Sequence, residues 1–227
     1  MIDPQPLGGA IARILRRRGL DPAAVARTEI PEPQLRLQAL DAAAARIPAR
    51  YQDALADHPE VIAWADEVRR AARPGPGGQP GIAKATSLLL AGPTGTGKTH
   101  QAYGALRLLL ADGVRLRWRA TTSADLHALL RPRPGHDGER DFQELLRVPL
   151  LLVDDLGAGK SSEFTEEVTW RLINHRYNEQ LPTMLTTNLA TAQLREVLGE
   201  RVSSRLREMS RHVRLTGPDR RRPPTAA

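Results

Sequence analysis

The chain has 227 residues, 41% of them hydrophobic and 26% charged, with a formal net charge of +7 at neutral pH. That balance supports one good-sized core and excludes wholesale disorder, and the absence of cysteine excludes disulfides and every Cys-ligated zinc or iron–sulfur site. No apolar run approaches the roughly 18 residues of a membrane span, and "MIDPQPLGGA" lacks the charged-then-apolar order of a signal peptide, so a cytoplasmic location and no membrane partner are expected.

The first 73 residues read as helical. "LGGAIARILRRRG" sets Ile11, Ile14 and Leu15 at helical spacing, with Gly19 placed to end the helix. "PEPQLRLQALDAAAARIPARY" carries a second pattern, broken at Pro48. In "HPEVIAWADEVRRAAR", Val61, Ala65 and Val68 share one side and Pro59 suits the first turn. "PGPGGQPG", 74–81, is a loop.

Beyond it, short apolar runs alternate with helical patterns. Strands are expected at 87–92, 114–121, 149–155, 183–188 and 212–217, and helices at 98–113, 123–131, 164–180 and 191–199. Unbroken Leu/Val runs such as "PLLLVDD" imply strands buried on both faces, as in a mainly parallel sheet between helices. The less apolar, alternating run at 114–121 suits a sheet edge. The fold class is α/β, three layers around five strands. "GERVSSRLREMS", 199–210, reads as an amphipathic helix with a basic face, and between Gly199 and Arg222 eight arginines face only Glu200, Glu208 and Asp219. Such a basic block is compatible with a polyanionic partner.

Three stretches carry chemistry. Gly92, Pro93, Thr94, Gly95, Thr96, Gly97, Lys98 and Thr99 match the phosphate-binding pattern GxxxxGK[ST], preceded by a strand and followed by a helix. Its glycines let backbone N–H groups curl around phosphate oxygens, Lys98 supplies a point charge, and Thr99 suits Mg²⁺. "LLLVDDLG" then ends a buried strand in two carboxylates, which are costly there without a cation. Asp154 fits the Mg²⁺ side, and Asp155 fits the residue that polarises attacking water. Asn188, ending "TMLTTN", suits orienting that water or touching the γ-phosphate from a neighbouring strand. ATP and Mg²⁺ are the cofactors these residues call for.

With these stretches in order, the chain resembles the AAA+ ATPases, and among them the DnaC/DnaI-type replicative helicase loaders and the related IstB-type transposition helpers. The likeness runs over roughly residues 46–222, through "IPARY", the P-loop, "TTSADLHALL", "LLVDDLG", "TTN", "LGERVSSRL" and "GPDRR". The resemblance implies ATP hydrolysis, with Arg205 as an arginine finger reaching a neighbouring subunit's nucleotide and Arg201 as its near alternative. It implies that Arg221 contacts nucleotide as the sensor II arginine, with Arg220 and Arg222 close by. It also implies a helical partner-binding region at 1–45, an ATPase domain at 46–222 and a disordered tail at 223–227. Partners implied are a replicative hexameric DNA helicase, single-stranded DNA and other copies of the chain in an ATP-dependent oligomer. A transposition helper on duplex DNA and a non-hydrolysing nucleotide-binding adaptor are the alternatives. Where many AAA+ proteins carry Glu, this chain has Asp155, one methylene shorter. Only about ten residues follow the last predicted strand, too few for the helical lid many relatives carry, so a lidless core is expected.

Overall fold

The computed structural model describes residues 41–74, 80–82, 84–114, 116–131, 135, 137–159 and 161–221. The predicted helix at 7–19, nearly all of the region at 1–45, Arg222 and the tail at 223–227 lie outside the described residues.

Five strands form one sheet: β1 (Ser87–Ala91), β2 (Trp118–Thr122), β3 (Leu150–Asp154), β4 (Thr183–Thr187) and β5 (Ser210–Arg214). Their order is β2-β3-β4-β1-β5, and every neighbouring pair is parallel. Successive side chains point to opposite faces. Leu88, Leu90, Leu150, Leu152, Met184 and Val213 enter a core shared with α1 (Pro59–Ala71) and α2 (Lys98–Ala111). Leu89, Leu151, Val153 and Leu185 enter a second core, shared with α3 (Ser123–Leu129), α4 (Gly138–Arg147), α5 (Glu163–Asn178) and α6 (Thr191–Met209). Both faces are clad, which is the physical reason for the unbroken apolar runs.

In α1, His58 accepts from the Glu60 N–H at 3.3 Å and Pro59 occupies the first turn. Val61, Ala65 and Val68 are buried as the spacing requires, together with Trp64, whose indole donates to Thr86 O at 2.7 Å. Ala43 and Ile47 join the same core, and the Trp118 indole donates to Ala43 O at 3.2 Å while meeting Tyr103 edge-on. Trp118 is therefore a packing residue.

The strand expected at 114–121 is an edge strand, but it starts only at Trp118; Val114, which follows the turn at Gly113 (φ 76°), and Leu116 are buried ahead of it. The last strand starts at Ser210, two residues earlier than expected, because α6 turns straight into it at Met209. Helix α4 is not among the expected elements, although Asp137 accepts from the Arg140 N–H at 3.1 Å as its cap, and Phe142, Leu145 and Leu146 form its buried stripe. α6 is broken at Gly199 (φ 79°, ψ 160°), so the expected end of a helix at 199 holds, and the helical reading of 199–210 holds up to Met209.

One buried cation ties the second core together. The Arg176 guanidinium, fully buried, donates to Thr183 Oγ1 at 2.7 Å, Pro182 O at 2.8 Å, Val148 O at 2.9 Å, Leu146 O at 3.1 Å and Leu145 O at 3.3 Å. Two of these carbonyls belong to the last turn of α4 and a third to Val148, its C-cap, where no intrahelical donors remain for them. Burial pushes the guanidinium down to about 9, so it stays charged at neutral pH. Replacing Arg176 with Met leaves those carbonyls desolvated and unpaired, and is expected to cost about 3 kcal/mol and lower Tm by roughly 6–12 °C. Thermal melts followed by circular dichroism check this; an unchanged Tm contradicts it.

Candidate functional site

The middle of the sheet sets the site. β4 lies between β1 and β3, so the turns following these three strands emerge side by side at their C-terminal ends. β1 runs into the P-loop, β3 into Asp154–Asp155, and β4 into Asn188. The Gly92 N–H donates to Thr187 O at 3.2 Å, which fastens the start of the P-loop to the neighbouring strand.

The loop's glycines are required by space as well as by dihedral angle. Gly95 has φ 85°, and a Cβ there would lie 2.0 Å from Asp219 Oδ1; one on Gly92 would lie 2.2 Å from Leu215 O. The 215–221 segment thus lies directly over the loop, and the Arg220 N–H donates to Gly95 O at 2.9 Å. Thr96 is buried, its hydroxyl donating to Pro93 O at 2.9 Å, so Thr96 shapes the loop from within while Pro93 and Thr94 are exposed. α2 starts at Lys98, which aims its N-terminal N–H groups and the positive end of its dipole at the loop.

Lys98 is only 6% exposed, and its ammonium donates to Gly92 O at 2.8 Å, Pro93 O at 2.8 Å and Asn188 Oδ1 at 2.6 Å. Burial pulls its pKa below the usual lysine value, the Asp155 and Asp154 carboxylates pull it back up, and Arg221 adds to the lowering. The Thr99 hydroxyl donates to the Asp154 carboxylate at 2.9 Å. Asp155 sits at φ 54°, a left-handed conformation that aims it out of the strand line. Its carboxyl is raised above the usual range, first by burial and then by Asp154, with Lys98 and Arg221 opposing.

Thr186 is the residue the sequence reading passes over. Its hydroxyl donates to Asp154 Oδ1 at 2.5 Å and accepts from the Asp155 N–H at 2.9 Å, so one side chain holds the Asp154 carboxylate and the Asp155 backbone. Thr187 assists, donating to Leu156 O at 2.8 Å. A buried hydroxyl beside a strand-end carboxylate pair was the available signal, in the two threonines of "TTN".

These groups open on a cavity of about 490 Å³. Thr94, Gly95, Gly97, Lys98 and Thr99 line it from the P-loop, Asp155 and Asn188 from the strand ends, and Arg220 and Arg221 from the C-terminal segment. Asp154 lies behind Thr99, not on the wall. Arg50 and Tyr51 close another side, with Tyr51 stacked on Tyr103 at 4.8 Å between ring centres, which gives the "IPARY" stretch a place beside the cavity. His100, on the first turn of α2, accepts from the Leu55 N–H at 3.2 Å and also lines it. A cavity of this size with a P-loop, a buried lysine and a cationic rim fits a nucleoside triphosphate. Among the described residues no cluster of three or more His, Asp or Glu side chains could cage a metal ion. The Thr99 hydroxyl and Asp154 instead form the sparse pair that suits Mg²⁺, which takes its remaining oxygens from phosphate and water.

Neither Arg201 nor Arg205 lines this cavity. Arg205 lies against α5, its guanidinium carbon 4.2 Å from the centre of the Trp170 ring and 5.3 Å from that of Tyr177. The two arginines of "GPDRR" that are described, Arg220 and Arg221, do line it, and Arg220 also pairs with Asp57 at 3.4 Å.

Residues 81–209, more than half of the chain, match the family described as IstB-like ATP binding protein. The chain is 28% identical over 124 residues to the replicative helicase loader DnaC of Escherichia coli K12, covering 53% of this chain and 50% of that protein. It is 27% identical over 121 residues to an ATP-binding protein of insertion sequence IS21 from Pseudomonas aeruginosa, covering 53% and 45%. The chain thus spans about half the length of the curated relatives it matches. Among solved structures, a DnaC helicase loader aligns with a TM-score of 0.60 at 27% identity, over 74% of this chain and 99% of that one. DnaI aligns with a TM-score of 0.58 at 22% identity, over 84% and 94%, a likeness of fold. With the P-loop, the Asp154–Asp155 turn, Asn188 and Arg205 all inside the matched segment, the chain belongs to the IstB-like ATP-binding protein family and has the P-loop AAA+ fold of the DnaC/DnaI type.

Proposed function

We propose that this protein is an ATP-hydrolysing loader that binds a hexameric replicative DNA helicase and assists its placement on single-stranded DNA. The observation that carries the reading is the meeting of Lys98, Asp155 and Asn188 at one cavity, in a chain similar to DnaC. In this reading the P-loop N–H groups and Lys98 hold the β- and γ-phosphates, Thr99 and Asp154 hold Mg²⁺, and Arg221 contacts the nucleotide from the C-terminal segment. Bound there, Mg²⁺ offsets charge on the phosphoryl oxygens. Asp155 accepts a proton from the attacking water, and its raised pKa makes it a better base than an ordinary aspartate once ionised. Asn188 orients that water or the γ-phosphate. Arg205 acts on the nucleotide of a neighbouring copy, so ATP becomes a signal for assembly, and residues 1–45 grip the helicase.

A second reading has its own support: the family that matches is named for IstB, and one relative is an IS21 protein. There the same ATPase core works on duplex DNA beside a transposase. Light scattering on a sizing column, with ATP and the replicative helicase of the same source, separates the two. A stable complex that is lost on deleting residues 1–45 is expected. No complex at micromolar concentrations, where specific interfaces form, overturns the loader reading in favour of the transposition helper.

A further inference from the structure

A second cavity, of about 570 Å³, lies at the other end of the sheet. It is bordered by Arg117 just before β2 and Arg119 on it, by Arg140 and Arg147 on α4, and by Arg46. All five arginines are exposed. Among the described residues none of the five is ion-paired, and Arg147 only donates to Gln143 Oε1 at 3.3 Å. Glu144 is the one carboxylate on the rim. The P-loop and Asp155 leave the strands at their C-terminal ends, whereas this groove sits at the N-terminal ends of β2 and β3, a strand length of about 13 Å of separation or more. The nucleotide chemistry gives these arginines no task.

Five like charges brought from three separate parts of the chain to one groove repel one another, and a polyanion relieves that repulsion while releasing its own counterions. The groove offers an unpaired base nothing to stack on: Trp118, its one aromatic residue, is 3% exposed, with its indole N–H committed to Ala43. Recognition there rests on phosphates alone. Duplex DNA presents one charge per about 1.7 Å of its axis, twice the density of one strand, so a guanidinium-only groove gains most from a duplex. We infer that the Arg46–Arg117–Arg119–Arg140–Arg147 groove is a sequence-independent binding surface for the backbone of duplex DNA, separate from the nucleotide cavity. This goes beyond the loader reading and stands on the groove's own charge. Its test uses no ATP, so it fails or succeeds independently of the ATPase assignment.

The test is fluorescence anisotropy of the full chain with a labelled duplex of about 20 base pairs, titrated at several salt concentrations, against the matching single strand. The Arg119→Gln/Arg147→Gln double variant is expected to bind the duplex about 10-fold more weakly, with a log–log salt slope smaller by about 2. The Arg119→Lys/Arg147→Lys variant, which keeps the charge, is expected to retain most of the binding. Unchanged duplex affinity in the Gln variant overturns the inference. So does single-stranded DNA binding as tightly as duplex and losing as much in the variant, and so does displacement of the duplex by polyglutamate of equal charge, which makes the groove a site for acidic protein.

Discussion

Lys98→Ala is expected to lower ATP turnover by about 10³-fold, with nucleotide affinity falling alongside it. The side chain is buried to 6% exposure and coordinated by three oxygens, two from the loop itself and one from Asn188. Its removal therefore acts twice. A positive charge is lost from a low-dielectric site where it counts for most. Two loop carbonyls, Gly92 O and Pro93 O, also lose their ammonium partner, which loosens the curl that presents the backbone N–H groups. Lys98→Arg is expected to fail nearly as badly, because a planar fork cannot reproduce a compact donor with three acceptors around it. Phosphate release and the anisotropy of a fluorescent ATP analogue measure the two losses, with circular dichroism as the check on folding. Turnover at the wild-type rate in Lys98→Ala means that the phosphate site lies elsewhere.

The P-loop, the two aspartates and Asn188 were legible because each is a short local pattern whose chemistry needs fixed residue types at fixed spacing. The buried strands were legible because burial on both faces writes an unbroken apolar run. Other features depend on long-range contacts that no local pattern encodes. Thr186 reads as an ordinary strand threonine until β4 is placed beside β3, where its hydroxyl meets both Asp154 and the Asp155 N–H. Arg176 reads as one basic residue of a helix, yet it closes the end of α4, some thirty residues earlier in the chain. The cationic groove needs Arg46, β2 and α4 brought together from three parts of the sequence. Helix α4 itself was readable, since the Asp137 cap and the 142–145–146 stripe are local. The late start of β2 was not, because Val114 and Leu116 are buried by tertiary packing outside the strand.

Arg205→Ala is expected to leave the affinity of dilute, monomeric protein for ATP within about 2-fold while lowering assembly-dependent turnover by about 10³-fold, the scale of an arginine finger acting in trans. The geometry supports a residue prepared for work outside its own cavity. Its guanidinium packs against Trp170 and Tyr177 on α5, and its Nε is buried with no hydrogen-bond partner. Among the described residues, its one side-chain hydrogen bond is a 3.4 Å contact from Nη1 to Arg201 O. Ring faces attract the cation without consuming its N–H donors, so the side chain is held in place with donors left over for a phosphoryl oxygen. The same packing means that the alanine variant also loses about 1–2 kcal/mol of cation–π stabilisation, and a melt must accompany the kinetics. Arg205→Lys separates the two effects: an ammonium keeps charge over the rings but lacks the fork, so stability should largely return while turnover stays low. Turnover is to be read against protein concentration, because only an arginine supplied by a neighbour gives activity that rises faster than linearly and loses that curvature on substitution. If Arg205→Ala instead abolishes ATP binding at concentrations where the chain is monomeric, the arginine serves its own subunit. If turnover keeps its curvature in Arg205→Ala and loses it in Arg201→Ala, the finger is Arg201, one helical turn earlier and exposed.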